Sequence, residues 1–298
     1  MKAISTLLCV ICLSVTVLGF ENYNIEEPVI EFSEGENGGR IIGGEDATRG
    51  QIKWMAVVVS KIGGVDQLYC GGSLISEDYV ITAAQCVPPE SDLTAEVRVV
   101  LGALNITSTT ETGRVDLISD FRFVHPEYDS VTKANDIAIV HLPRRVFSSP
   151  YVGNSQLPYD YEVNATYDGV GVRMSGWGAD KDGIQSNYSE ILRYVDTLVR
   201  PLQVCIDYYG VDYVNEKHIC VSTAGGHGPC KGDTGAPLTL TEPSADTHQI
   251  GIFSFYDDES CIRGKPVVFT KLASHWDFIT DYTGLLPLSP PTPNPVDY

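Results

Sequence analysis

The sequence predicts an all-β protein with a helix near its C-terminus. From residue 41 onward, short runs rich in β-branched and aromatic residues alternate with clusters of Gly, Asn, Asp and Pro, a pattern typical of a β-sandwich or a β-barrel. A hydrophobic fraction of 43% in 298 residues suffices for a sizeable core. This length fits either one large β domain or two small ones.

Seven runs predict strands because each is bounded by turn-forming residues. They lie at residues 55–60, 79–83, 97–101, 137–141, 170–177, 250–255 and 267–271. Next in the chain, Leu272, Trp276 and Ile279 recur at helical spacing and predict a helix. Residues 284–298 are too rich in proline for a strand or a helix, so we expect an extended tail there.

The first 40 residues differ in character from the rest of the chain. Residues 1–19 combine Lys2 with an apolar run and a small residue, Gly19, which are features of a signal peptide more than of a membrane anchor. Residues 20–40 contain six glutamates, no cysteine and one basic residue, Arg40, a composition that disfavours packing. We therefore expect a secreted, extracellular protein with an acidic propeptide.

Charge and cysteine content narrow the classes of function. The net charge of −19 disfavours nucleic acid and anionic membranes as partners, because both select basic surfaces. Six cysteines remain beyond residue 19, and an even number in an exported chain indicates three disulfides whose pairing the sequence alone leaves open. The histidines lack the His-Glu-x-x-His spacing of zinc enzymes, so we expect no metal and no cofactor.

Two short motifs connect the chain to a known family. Gly-Asp-Thr-Gly-Ala-Pro at 232–237 and Thr-Ala-Ala-Gln-Cys at 82–86 resemble the signatures of the chymotrypsin-like serine proteases, most closely in texture those of arthropod brachyurin-type members. In that family the first motif carries the nucleophilic serine and the second the general-base histidine. The resemblance implies two packed six-stranded antiparallel β-barrels over residues 41–283, with Thr234 and Gln85 at the two catalytic positions.

Further motifs extend the resemblance. Asn-Asp-Ile-Ala at 135–138 resembles the segment of the triad aspartate, so Asp136 is expected to accept a hydrogen bond from the Gln85 amide in place of an imidazole. Arg40-Ile41-Ile-Gly-Gly resembles the family's activation site, where cleavage frees an ammonium that pairs with the carboxylate at Asp233. The resemblance also implies the disulfides Cys70–Cys86, Cys205–Cys220 and Cys230–Cys261.

The resemblance to chymotrypsin-like proteases also implies where the oxyanion hole and the substrate pocket lie. The backbone N–H groups of Gly232 and Thr234 are expected to form the oxyanion hole. Gly228, Ser254, Tyr256 and Val267 are expected to line the pocket. Gly228 supplies no carboxylate for a basic substrate side chain, and the bulk of Tyr256 and Val267 predicts a narrow, elastase-like cleft. Ordinary core packing is the alternative explanation for either bulky residue alone.

The two substitutions decide the functional prediction. A serine nucleophile needs a neighbouring base, and the amide of Gln85 takes up no proton near neutral pH. Thr234 is internal, so it lacks the amine that N-terminal threonine nucleophiles use as a base. The family pattern places no other histidine at position 85. The histidines are His125, His141, His218, His227, His248 and His275.

We therefore expect an inactive serine protease homologue that binds a protein partner, namely a protease, an inhibitor or a protease substrate. A weak endopeptidase using Thr234 and a structural or storage protein are the alternatives, and a retained activation site argues against the latter. Asn105, Asn164 and Asn187 each begin an N-glycosylation sequon, so at least one glycan is expected on the secreted chain.

Overall fold

A computed structural model describes residues 44–179, 188–241, 248–257, 261 and 263–287. The predicted signal peptide and propeptide, and most of the predicted tail, lie outside these residues. In chain order the described strands are β1 (Glu45–Asp46), β2 (Met55–Ile62), β3 (Val65–Leu74), β4 (Tyr79–Thr82), β5 (Ala95–Leu101), β6 (Val115–Ser119), β7 (Arg122–Val124), β8 (Ala138–His141), β9 (Gly171–Gly176), β10 (Arg193–Arg200), β11 (His218–Val221), β12 (Pro237–Leu240), β13 (Gln249–Phe255) and β14 (Val267–Lys271). The α-helices are α1 (Leu202–Tyr209) and α2 (Trp276–Thr283), and four 3₁₀ helices cover Ala84–Cys86, Asp160–Asn164, Ala224–Gly226 and Leu272–His275.

The first sheet contains seven antiparallel strands in the order β6-β5-β2-β3-β4-β8-β7. Its centre is the hairpin of β2 and β3, in which Met55 lies opposite Ser73. Six successive residues of β2 are buried, because one face of the strand meets the core of this sheet and the other meets the second sheet. Helix α2 covers one end of the core with Phe278 and Ile279.

The second sheet has the order β1-β10-β11-β14-β13-β12-β9. Strand β9 also pairs with β10, so six strands close into a barrel and β1 is added at the outside of β10. Its core consists of alternating inward side chains, with Leu238, Phe253 and Phe269 fully buried. Closure removes the unpaired strand edges that an open sheet would expose.

These findings confirm the predicted all-β, chymotrypsin-like class with a C-terminal helix; the second sheet closes as a six-stranded barrel, whereas the first has seven strands and forms a half-barrel whose end strands β6 and β7 do not pair with each other. All seven predicted strands are present, with ends displaced by a few residues. Sequence analysis missed α1, which begins directly after Pro201 and ends before Gly210, whose φ is 95°. Proline at the start of a helix and glycine after its end are known boundary signals, so this helix was open to prediction. Among the described residues no helix is long and apolar enough to span a membrane.

A buried polar cluster joins the two sheets. The side chain of Gln249, on β13, is fully buried, and its Oε1 accepts hydrogen bonds from Ser73 Oγ at 2.7 Å and Ser155 Oγ at 2.8 Å. Its Nε2 donates to the carbonyl of Gly251 at 3.1 Å. Because both the oxygen and the nitrogen of the amide are hydrogen-bonded, burying it between the sheets costs little free energy. The same hydrogen bonds fix the position of one sheet relative to the other.

The three disulfides are the pairs that the family resemblance implies. Cys70 is bonded to Cys86, Cys205 to Cys220, and Cys230 to Cys261. The first of these ties β3 to the 3₁₀ helix that carries Gln85. The third anchors the segment just before Asp233 and Thr234. Two of the three cross-links therefore hold chain segments of the candidate site.

Candidate active site

The structure brings Gln85 and Asp136 together. Nε2 of Gln85 donates to Oδ2 of Asp136 at 2.5 Å, and the backbone N–H of Gln85 donates to Oδ1 at 3.1 Å. Gln85 is half-buried on the 3₁₀ helix after β4, and Asp136 lies just before β8. Because β4 and β8 are paired with Thr82 opposite Ala138, the end of one strand and the start of the other meet here. The predicted contact between amide and carboxylate is therefore present.

Several hydrogen-bond donors contact Asp136. Its side chain is fully buried, and burial raises the pKa of the carboxyl above its usual value, while hydrogen bonds from Ser254 and Gln85 oppose that rise. Ser254 Oγ donates to Oδ2 at 2.6 Å. Thr270 Oγ1 donates to the Asp136 carbonyl oxygen at 3.0 Å. These contacts position the carboxylate towards Gln85; Lys133 acts on it only through space, and Asp136 forms no direct ion pair with a described residue.

The preceding residue, Asn135, sets the direction of this segment. Its φ is 52°, in the left-handed region that asparagine tolerates better than most residues. Its Nδ2 donates to the carbonyl of Glu127 at 3.0 Å, and its Oδ1 accepts from Lys217 Nζ at 3.0 Å. The side chain thus stabilises the turn from which Asp136 enters the site.

The loop that carries Thr234 lies against the same corner of the first sheet. The Thr234 carbonyl oxygen accepts a hydrogen bond from the Gly71 N–H at 2.7 Å and lies 3.4 Å from Sγ of Cys86, the residue after Gln85. The next residue, Gly235, has a φ of 86°, and a Cβ there would collide with Thr82 Oγ1 and the Gly71 carbonyl. Glycine is therefore required for the loop to approach the first sheet this closely.

The two expected oxyanion donors are uncommitted in the described structure. Neither the N–H of Gly232 nor that of Thr234 donates to a described residue, whereas the neighbouring N–H groups of Asp233, Gly235 and Ala236 donate to carbonyls. Thr234 itself is half-buried. Two free N–H groups beside a hydroxyl-bearing residue are what acyl-transfer chemistry requires of the backbone.

Asp233 is buried and lacks a cation within the described residues. Its Oδ1 accepts from the Gly178 N–H at 2.7 Å, and its Oδ2 accepts from the Cys230 N–H at 3.0 Å. Burial raises the pKa of this carboxyl to about 6. The carboxylate packs so closely on the 176–178 segment that a Cβ at Gly178 would collide with it. Arg40 and Ile41, the predicted activation residues, lie outside the described residues.

The chain is firmly anchored where the described part begins. The Arg193 guanidinium is buried, and it donates to the carbonyl of Gly44 and to Oδ1 of Asp46 at 2.7 Å. Glu45 pairs with Tyr194 in the antiparallel ladder of β1 and β10. Gly44 is therefore a fixed point four residues after Arg40.

Two of the expected pocket residues, Ser254 and Val267, lie on the paired strands β13 and β14, whereas Tyr256 directly follows β13 and Gly228 lies in the loop after the 3₁₀ helix Ala224–Gly226. Gly228 and Ser254 are buried, and Val267 belongs to the same core cluster as Phe253 and Phe269. Tyr256 is half-buried and packs against that cluster, with its ring 5.9 Å from the ring of Phe253. The structure thus assigns both bulky residues a packing contact. It also gives Ser254 a second role that sequence analysis missed, as a donor to Asp136.

Two of the three sequons lie in the described structure. Asn105 is half-buried, and its Oδ1 accepts hydrogen bonds from the N–H groups of Thr107 and Ser108. Asn164 is exposed at the end of a 3₁₀ helix. Asn187 falls outside the described residues. Within the described ranges no group of three or more His, Cys, Asp or Glu side chains is arranged to hold a metal ion.

Comparisons with known proteins agree with this geometry. The family model described as Trypsin matches residues 41–279. The chain is 36% identical to brachyurin from Leptuca pugilator over 74% of this chain and 91% of the relative. It is 31% identical to a collagenase from Hypoderma lineatum over 83% and 89% of the two chains. A solved structure titled HL collagenase superposes with a TM-score of 0.71 at 30% identity, covering 83% of this chain and all of that one.

The match spans both sheets, the disulfides and the segments that carry Gln85, Asp136 and Thr234. The chain therefore belongs to the trypsin family of serine-type endopeptidases.

Proposed function

We propose that this chain is a secreted, non-catalytic member of the trypsin family that acts by binding a protein partner as a cofactor, decoy or regulator of proteolysis. The observation that carries the proposal is the 2.5 Å contact in which Gln85 Nε2 donates to Asp136. An amide nitrogen that donates here has no lone pair to accept the proton of a nucleophile. The carboxylate therefore orients a group that cannot act as a general base.

Thr234 does not compensate for the missing base. A hydroxyl nucleophile is weak until a neighbouring base removes its proton, and the β-methyl group of threonine further restricts its side-chain rotamers. In a well-studied triad protease, loss of the base alone lowers turnover by about 10⁶-fold. The free N–H groups of Gly232 and Thr234 support at most a residual rate, of the order of 10³–10⁴ over water.

The pocket residues support the same proposal. Gly228 carries no acidic group, and although Tyr256 and Val267 pack against the core of the second sheet, their bulk at the expected pocket positions favours a narrow, elastase-like cleft over an open one. A substrate with a large or basic side chain would therefore bind poorly even if the chemistry were restored.

The proposed class of partner comes from what the relatives of this chain are named for. The relatives include proteins named phenoloxidase-activating factor 3, from Holotrichia diomphalia, and proclotting enzyme, from Tachypleus tridentatus. We infer that a chain with the same fold and no base binds a partner of such proteins without cleaving it. We therefore assign it a protease, a protease inhibitor or a protease substrate as its partner, and the net charge of −19 disfavours nucleic acid and anionic membranes.

The test is an activity assay on the pure protein cleaved after Arg40. We expect no turnover in a broad peptide library and no labelling by a serine-directed phosphonate, with an active trypsin-family protease as the positive control. The Thr234→Ala variant, purified in the same way, reports the background from contaminating protease. Hydrolysis by the unmodified protein that Thr234→Ala abolishes would overturn the proposal and establish a weak endopeptidase.

A further inference from the structure

A cavity of about 360 Å³ lies beside the candidate active site. Val57 and Val59 of β2, Val100 of β5 and Trp177 give it apolar walls, and these residues belong to one core cluster. Gly232 lines the same cavity. The volume falls in the range of small-molecule sites, and apolar walls with few polar groups are typical of them.

Arg114 is the unusual member of this cavity. Its side chain forms no hydrogen bond and no ion pair with any described residue, and its Nη1 is sealed from solvent without a partner. Burial among apolar groups lowers the pKa of Arg114. The side chain as a whole is partly exposed, but burying even one guanidinium nitrogen without an acceptor is costly, so the fold keeps a cation with an unsatisfied donor at the wall of this cavity.

The second arginine of the cavity is already neutralised. Arg98 donates through Nε to Asp116 Oδ1 at 2.8 Å, and its guanidinium forms ion pairs with Asp116 and, at 3.8 Å, with Asp66. Asp116 raises the pKa of Arg98 and thus stabilises its charge. Asp116 therefore directs its oxygens to Arg98, and although Asp116 and Glu111 attract Arg114 through space, Arg114 forms no direct ion pair with a described residue and is the cation of this cavity without a carboxylate in contact.

The cavity borders solvent at two tyrosines. Tyr69 and Tyr188 both line it, are about 40% exposed (39% and 41%), and have ring centroids 6.0 Å apart. Glu190 also lines it and is exposed. The two rings are in contact with each other, so a ligand enters alongside this aromatic pair, and the exposed carboxylate of Glu190 disfavours purely anionic, fully hydrated ligands.

We infer that this cavity binds a carboxylate attached to an apolar group, with the carboxylate paired to Arg114 and the apolar group between the valines and Trp177. An arginine fork matches the two oxygens of a carboxylate, and such a pair is strongest where water is excluded. Gln85, Asp136 and Thr234 do not line the cavity, and of the expected catalytic groups only Gly232 does, so binding of such a ligand is measurable whether or not the protein cleaves peptides.

The experiment measures binding of 4-phenylbutyrate and of its neutral amide to the full-length protein by calorimetry. We expect the acid to bind at least tenfold more tightly than the amide, because only the acid pairs with the cation. A short peptide ending in phenylalanine, with a free or an amidated C-terminus, shows whether the acid can be the end of a protein chain. Preference for the free terminus extends the inference to peptides, and its absence limits the site to small acids.

Two matched variants test the assignment to Arg114. Arg114→Gln removes the charge within the cavity, and we expect at least a tenfold loss of affinity for the acid and no change for the amide. Arg145→Gln removes one charge at an exposed position that pairs with Glu77 and Asp78 and should leave affinity unchanged. Circular dichroism establishes that both variants are folded. No binding of the acid at millimolar concentration, equal binding of acid and amide, or full affinity in Arg114→Gln would overturn the inference.

Discussion

Gln85 joins the two sheets of the molecule through Ser254. Gln85 follows β4 of the first sheet, and its Nε2 donates to the carbonyl oxygen of Ser254, on β13 of the second sheet, at 2.9 Å. The same nitrogen donates to Asp136. Gln85 therefore stabilises the contact between the sheets at the point where the candidate site lies.

Gln85→Ala is expected to lower the free energy of unfolding by about 1–3 kcal/mol, because Asp136 loses a donor while remaining buried. Gln85→Glu should be more destabilising at neutral pH, since it brings a second carboxylate against Asp136. Urea unfolding of both variants and of Ser254→Ala, which removes the other side-chain donor to Asp136, measures the effect. Stability of Gln85→Ala within about 0.5 kcal/mol of the unmodified protein would contradict the structural role.

Gln85→His combined with Thr234→Ser is expected to restore labelling by a serine-directed phosphonate. The double variant should be labelled at least about tenfold faster than either single variant, because nucleophile and base act as a unit. Adding Asp136→Asn should remove most of the gain, since the carboxylate orients the imidazole. Peptide turnover is expected to stay poor because the bulky side chains of Tyr256 and Val267 still narrow the expected substrate pocket. Equal labelling of the double and single variants would argue against the catalytic assignment of these positions.

Limited digestion by a trypsin-like protease is expected to cut between Arg40 and Ile41. The new ammonium of Ile41 can then pair with Asp233, so the cleaved protein should unfold at a higher temperature than the uncleaved one. The Asp233→Asn variant should be cut equally but show no such gain. Mass spectrometry identifies the cut, and Arg40→Gln is the matched control. Cuts elsewhere with an intact Arg40–Ile41 bond would refute the activation site.

Before cleavage, Asp233 is expected to make stability fall as pH rises. The pKa of its carboxyl is about 6 in the folded protein against an ordinary value of 3.8, so the folded state binds the proton more tightly between those pH values. Its contribution is complete below about pH 4 and is lost above about pH 6, a change of about 3 kcal/mol. The difference in unfolding free energy between the uncleaved protein and Asp233→Asn, measured at pH 4 and pH 7, isolates this change. A difference that does not vary with pH would contradict it.

His275 is expected to have the opposite pH dependence. It is buried, its Nδ1 lies 2.8 Å from the Lys271 carbonyl, and burial lowers its pKa from 6.5 to about 4. The folded state thus disfavours the protonated ring, so stability is present above about pH 6.5 and falls by about 3 kcal/mol towards pH 4. The nearby His125, Lys217 and His218 act in the same direction on this pKa.

His275→Gln keeps a side-chain donor and should remove the part of the acid sensitivity that His275 causes, while the part caused by His218, whose pKa burial also lowers to about 4, remains. Urea titrations of this variant and of the unmodified protein at pH 7 and pH 5 provide the measurement. His227→Gln, at an exposed position, is the matched control. If His275→Gln loses as much stability between pH 7 and pH 5 as the unmodified protein does, the buried ring is not the cause.

Sequence patterns predicted helix α2 and seven of the fourteen described strands, and they missed β10 although it is eight residues long. Helix α2 and all seven predicted strands were found because their apolar residues recur at a fixed period and turn residues bound them. Strands such as β1 and β7, with two and three residues, have no such period. They exist because β10 and β8 offer them backbone partners, which is a tertiary condition.

The candidate site likewise has some properties that residue identity determines and others that only the fold determines. The sequence by itself determined which side chains stand at the family's catalytic positions, and therefore that an amide at Gln85 replaces a base, since residue identity fixes proton affinity. Only the tertiary structure decided that Gln85 also binds Ser254, that Tyr256 and Val267 pack in one cluster, and that Nη1 of Arg114 is buried without an acceptor beside a cavity. Those properties depend on distances and burial between segments far apart in the chain, which local sequence patterns do not specify.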